Sequence, residues 1–182
     1  SYALLYAVSQ MEEATLQQEL GRLVEAELLY QRGLPPQATY TFKHALIRDA
    51  AYQSLLRSTR QDYHQRIAQV LVKQFPEVVE TRPELLAHHY TEAGQHEAAI
   101  SYWQRAGQRA LQRSAYMEAI AHLRQGLTLL TTLPETPARR QQELDLQVAL
   151  GLALVATKGN AVPDAERAYA RARELCAQLV DT

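Results

Sequence analysis

The sequence predicts a mainly α fold, with one small β-hairpin near its start and a series of stacked helical hairpins after it. Three observations carry this. Along most of the chain apolar residues recur every three or four positions, the mark of helices buried on one side. Two short β-prone runs, Leu28 to Gln31 and Thr39 to Phe42, flank a loop holding Gly33, Pro35 and Pro36. Between Gly94 and Leu127, small residues (Ala99, Ala106, Gly107, Ala110, Ala119) alternate with large ones (Ile100, Trp103, Tyr116, Ile120, Leu123) at helical spacing. Small side chains let helices approach closely while the large ones fill the gaps between them.

A short helix is expected from Ala3 to Val8, and a longer one over residues 12 to 27, where Leu16, Leu20, Leu23 and Val24 form one stripe. Glu12 and Glu13 suit the positive end of that helix. Helix, helix, then hairpin is the order of a winged helix, here a partial one with its usual first helix cut away. From Lys43 the helical period returns. Ala45, Leu46, Asp49, Ala50, Tyr52, Leu55 and Leu56 make one helix, and Ser58 or Thr59 caps the next, on which Tyr63, Ile67, Val70, Leu71 and Phe75 share a face. Pro76 and Pro83 bracket a linker, dividing the chain into residues 1–76 and 77–182. Helices are then expected near 83–93, 96–113 and 115–133. The LPETP break supplies Pro137 as a helix start. The last two helices, about 138–157 and 163–180, are joined through Lys158, Gly159 and Asn160.

The 182 residues are 47% hydrophobic and 21% charged, and a formal charge of -1 gives no global attraction to nucleic acid or anionic lipid. The longest apolar run, Val148 to Ala156, is too short to cross a bilayer and is expected to be a buried helix segment. The single cysteine, Cys176, forms no internal disulfide and is expected to pack beside Leu175 and Leu179, in a reducing, cytoplasmic setting. The opening SYALLYAV reads as the middle of a domain, so the chain is expected to be a fragment of a longer protein.

The segment HHYTEAGQHEAAISYWQRAG resembles a tetratricopeptide repeat, with Leu86, Tyr90, Gly94, Ala99, Trp103 and Ala106 on its apolar and small positions. A second partial match, WQRAGQRALQRSAYMEAIAHLRQGL, restarts at Trp103, so the two overlap instead of following each other at about 34 residues. The helix from His96 is therefore shared by two hairpins in an α-solenoid of tetratricopeptide-like pairs. The longer stretch YTFKHALIRDAAYQSLLRSTRQDYHQRIA, preceded by LVEAELLYQRG, resembles the region downstream of the nucleotide-binding module in bacterial STAND-class ATPases. Some of these are fused to adenylate or guanylate cyclase or to protein kinase domains. That resemblance implies a relay and sensing region whose chemistry resides elsewhere in the parent polypeptide.

The motifs point the same way. No GxxxxGK[ST] string supplies a phosphate loop, no GxSxG elbow presents a serine, and Ile100 stands where an HExxH motif starting at His96 needs its second histidine. Among the six histidines, adjacent His88 and His89 diverge by about 100° on a helix, and His44 and His64 are read as packing residues. No catalytic residue, metal or cofactor is expected. The reading is a non-catalytic protein-interaction scaffold from a larger signalling ATPase, with other domains of the parent as partners. If the repeat geometry holds, Glu84, His88, Thr91 and Glu92 with Gln104, Gln108 and Gln112 face that partner, while Trp103 is a core spacer. The alternative is a nucleic-acid-binding transcriptional regulator using Lys43, Arg48, Arg57, Arg60 and Arg66. Glu12, Glu13, Glu19, Glu25 and Glu27 oppose DNA at the helix that would enter the major groove, and a small hydrolase ranks last.

Overall fold

Local sequence rules place most element ends, and tertiary packing decides which faces are buried. The computed structural model describes residues 1–158 and 163–180. It is mainly helical, with one two-stranded antiparallel hairpin among the described residues. The chain divides into two compact units, Ser1–Pro76 and Glu77–Thr182.

In the first unit, α1 (Tyr2–Ser9) ends where Gln10 adopts a left-handed conformation, φ 58°, and α2 (Glu13–Glu25) leads into β1 (Leu29–Arg32) and β2 (Thr39–Phe42). Leu29 pairs with Phe42 and Arg32 with Thr39, and the connecting loop turns at Gly33, φ 79°, where glycine carries no steric penalty. Tyr2, Leu16, Leu20, Leu29 and Ala38 form a small core, and the Tyr2 amide donates to the Ala38 carbonyl at 2.8 Å. Gly21 lies within α2 with open space where a Cβ would stand. Gly21→Ala should therefore stabilise the unit by about 0.5 to 1 kcal/mol, from helix propensity alone, in a thermal melt followed by circular dichroism.

Two helices complete this unit, α3 (Ala45–Ser54) and α4 (Arg57–Gln74), and both depart from the sequence expectation. No residue of α3 is buried, and Leu46 and Leu56 are 82% and 73% exposed. The helix before α4 ends at Ser54, and Leu56 takes the N-cap position. Ser58 and Thr59 thus fall inside the first turn and cap nothing. The buried face of α4 is His64, Ala68 and Leu71, whereas Tyr63 is exposed, because the face is rotated by one residue. His64 is indeed a packed histidine, bonded to the Tyr52 hydroxyl at 3.0 Å. His44 is exposed at the N-cap of α3, which corrects its reading as a packing residue.

In the second unit the expected linker is a short helix, α5 (Pro76–Thr81), since Pro76 and Pro83 each suit a first helical turn. Then come α6 (Pro83–Glu92), α7 (His96–Gln112), α8 (Tyr116–Leu130), α9 (Pro137–Lys158) and α10 (Pro163–Val180). Gly159 and Asn160, expected between the last two, lie outside the described residues. Each helix packs mainly on the next, so α7 is shared between α6 and α8. Ile100, Ala119, Ile120, Leu123, Leu130, Leu146 and Leu154 lie in one continuous core. No helix among the described residues is long and apolar enough to cross a membrane.

Two successive turns in this unit share one geometry. At the first, Gly94 is left-handed, φ 75°, and the Gln95 amide donates to the Tyr90 carbonyl at 2.9 Å. At the second, Ser114 is left-handed, φ 57°, and the Ala115 amide donates to the Ala110 carbonyl at 2.8 Å. The same turn geometry thus recurs after one helix and its turn, with buried Ala99 and Ile100 answered by buried Ala119 and Ile120.

A glycine also seats each of the three last interfaces. A Cβ on Gly107 of α7 would come within 2.6 Å of Leu123 on α8. One on Gly126 of α8 would meet Leu146 of α9 at 3.3 Å, and one on Gly151 of α9 would meet the Tyr169 ring of α10 at 2.7 Å. The run from Val148 to Ala156 is only half buried. Val148 and Leu152 are 47% and 54% exposed, because a helix of this amplitude turns one flank of an apolar run away from its neighbour.

Candidate functional site

The expected partner-binding residues fall on α6 and α7, and the structure sorts them into two kinds. His88, Glu92, Gln108 and Gln112 are exposed, whereas Glu84, Thr91 and Gln104 are partly buried. Thr91 is structurally committed: its hydroxyl donates to the Ala87 carbonyl at 2.8 Å and accepts the Trp103 indole N–H at 3.1 Å. Glu84, in the first turn of α6, sits where the helix dipole favours a carboxylate. His88 and His89 rings lie 5.6 Å apart, centre to centre, tilted by 54°.

Trp103 is half-buried, not enclosed in the core as its register with Ala99, Ala106 and Ala110 suggested. Its ring lies against His122 of α8, centroids 5.3 Å apart and nearly parallel, 26° between planes. His122 is a site residue that the sequence reading missed. The available signal is its place on α8, four residues after Glu118 and three after buried Ala119, on the flank of the buried stripe. Beside this pair, Tyr90 and Tyr102 stack at 5.5 Å, and the Arg105 guanidinium lies over the Tyr102 ring. Burial, and then Tyr102, push the Tyr90 hydroxyl above its usual range.

Burial lowers the His122 pKa below its ordinary 6.5, with Arg113 acting in the same direction and Glu84 and Glu118 opposing them. The neutral ring is thus favoured at pH 7. As pH falls, the unfolded chain binds this proton first, so the stability associated with neutral His122 is complete above 6.5 and declines as pH drops through the folded-state value. Trp103 is the sole tryptophan, and imidazolium quenches a stacked indole. We expect tryptophan emission to fall on acidification with a midpoint below 6.5, and His122→Gln to abolish that transition.

The other candidate chemistries are dispersed. His96 Nδ1 is bonded to the Thr132 hydroxyl at 2.6 Å, and no group of three metal-ligating side chains converges among the described residues. In the basic set, Lys43 pairs with Glu27 at 3.5 Å and lies over the Tyr30 ring, and Arg48 pairs with Asp49 at 2.8 Å. Arg60 lies over Tyr52, and Arg66 lies over Tyr63 while donating to the Val8 carbonyl. Cys176 is exposed, correcting its expected burial: the α10 stripe facing α9 is Ala165, Ala168, Ala172 and Leu175, one residue out of phase with it.

No protein-family model matches the chain. No solved structure matches it. A protein of Rhizobium meliloti (strain 1021), described as uncharacterized, is 30% identical over 153 residues. Those residues cover 84% of this chain and 15% of that protein, so the chain is similar to one small part of a much longer polypeptide.

Proposed function

We propose that this chain is a non-catalytic regulatory segment of a larger STAND-type signalling ATPase, of the kind linked in some parents to an adenylate cyclase, and that it acts in the cytoplasm by docking other protein domains. In this reading α1, α2 and the hairpin are a partial winged helix, and the helices from α6 onward are tetratricopeptide-like pairs. The observation that carries it is the serial packing of α7 to α10 on glycine seats, with His88, Glu92, Gln108 and Gln112 left at the surface of α6 and α7. A close-packed stack holds its shape under load, and an exposed polar face offers directional hydrogen bonds to a partner. Similarity to a small part of a long relative also suits a segment that works inside a larger polypeptide.

The test is calorimetric titration of this chain with the nucleotide-binding portion of the polypeptide that carries it, in ATP and in ADP. Binding that differs between the two nucleotides supports the relay. Alanine at Glu84, His88, Glu92, Gln104, Gln108 and Gln112 together should weaken it at least about tenfold. Thr91→Ala is measured separately because Thr91 holds Trp103. Absence of binding in both nucleotide states, or full affinity in the six-fold variant, overturns the reading.

A further inference from the structure

In the second unit α7, α8 and α9 are each covered on two sides by neighbouring helices, whereas α10 packs mainly on α9 among the described residues, with one ion pair reaching α8. Beside that contact runs an open groove, walled by Leu144 and Val148 of α9 and by Tyr169, Ala170 and Cys176 of α10. Its exposed apolar wall continues to Leu152, so the face offers burial to an incoming helix.

The charges on α10 indicate which helix fits. Asp164 pairs with Arg124 at 2.9 Å and also with Arg167. Arg171 holds Glu143 at 2.6 Å and Glu174 at 3.2 Å, and these hydrogen bonds, above all that to Glu143, raise its pKa. Three charges line the groove: Arg167 is held by Asp164, while Glu166 and Arg173 form no ion pair with another described residue. These last two stand seven residues apart, two helical turns, and so lie on one side of α10.

We propose that this groove receives α10 of a second copy of the chain, giving a two-fold dimer. An axis between Tyr169 and Ala170 of antiparallel helices sets Glu166 opposite the second copy's Arg173, and Arg173 opposite its Glu166. The same register lays Cys176 against the second copy's Pro163 and Tyr169 against its Ala170, a large side chain over a small one. Both carboxylate–guanidinium contacts arise from one helix sequence, as a self-complementary two-fold interface requires. The 18 residues of α10 extend for about 27 Å, and the apolar wall of α9 adds to the area covered.

Sedimentation equilibrium of the 182-residue chain tests this, with circular dichroism to show that each variant is folded. A concentration-dependent dimer is expected. Glu166→Arg alone and Arg173→Glu alone should each weaken it at least about tenfold, since each sets like charges face to face. An equimolar mixture of the two variants should associate again, because every contact then joins opposite charges, and the Glu166→Arg/Arg173→Glu double variant should do so by itself. The rate at which a thiol reagent modifies Cys176, the sole cysteine, should fall as dimer forms. A chain that stays monomeric at roughly 1 mM overturns the proposal. So does a dimer indifferent to both charge reversals, or one that the mixture fails to restore. Protection of Cys176 in a longer, monomeric form of the parent polypeptide would assign the groove to a helix of the same chain and overturn it equally.

Discussion

Leu123→Ala is expected to cost the second unit about 3 kcal/mol or more, lowering its thermal midpoint by roughly 10 °C or more. Leu123 is fully buried and lies at the interface where α8 rests on Gly107 of α7. Truncation removes the transfer energy of a buried side chain and leaves a cavity that close-packed neighbours fill only partly. The same contact sets the sign of a second substitution. In the native background Gly107→Ala would drive a methyl to within 2.6 Å of the Leu123 Cγ, so that this fully buried side chain must shift. Overpacking of this kind costs about 1 to 3 kcal/mol, more than the gain of up to about 1 kcal/mol in helix propensity. In the Leu123→Ala background the obstruction is gone, and Gly107→Ala should become stabilising by about 0.5 to 1 kcal/mol. A double-mutant cycle in urea, read by circular dichroism, checks it. Equal effects of Gly107→Ala in the two backgrounds would mean that these residues do not touch.

Trp103→Ala should destabilise the same unit by about 2 to 3 kcal/mol, below the range for a fully buried tryptophan because the residue is partly exposed. The loss combines apolar contact, the stacking on His122 and the N–H bond to Thr91. Trp103→Phe separates these contributions. It retains a ring beside His122 and loses the donor, and should cost about 1 kcal/mol. If phenylalanine proves as damaging as alanine in a urea melt, the indole N–H dominates and the stacking contributes little.

Helix positions from α6 onward were legible because they rest on strong local rules. Pro83 and Pro137 start helices, Gly94 turns the chain, and Ala99, Ala106 and Ala110 mark a contact stripe. The hairpin followed from two β-prone runs flanking a loop with Gly33, Pro35 and Pro36. What escaped depends on tertiary neighbours. Cys176 and Leu175 are adjacent apolar residues, and only the crossing of α10 over α9 decides which is buried. Likewise nothing within α3 discloses that Leu46 is exposed, since its periodicity is that of a buried helix. The site was partly legible. Glu84 and His88 fall on α6 as expected, but the partnership of Trp103 with His122 joins residues 19 positions apart on different helices, beyond any helical period. The second turn was legible from the break in helical period between 96–113 and 115–133, although its left-handed residue, Ser114, gives no glycine signal.

The recurrence of one turn geometry at Gly94 and Ser114 has a consequence for how such a chain can lengthen. What recurs is a single helix with its bend, so any further helix ending in the same bend would reverse the direction of the polypeptide. Gain or loss of one such helix would send everything downstream out of the opposite end of the stack, whereas changes by two preserve its heading. Polarity of the exit, more than overall length, is therefore the quantity that insertions and deletions in this region must respect.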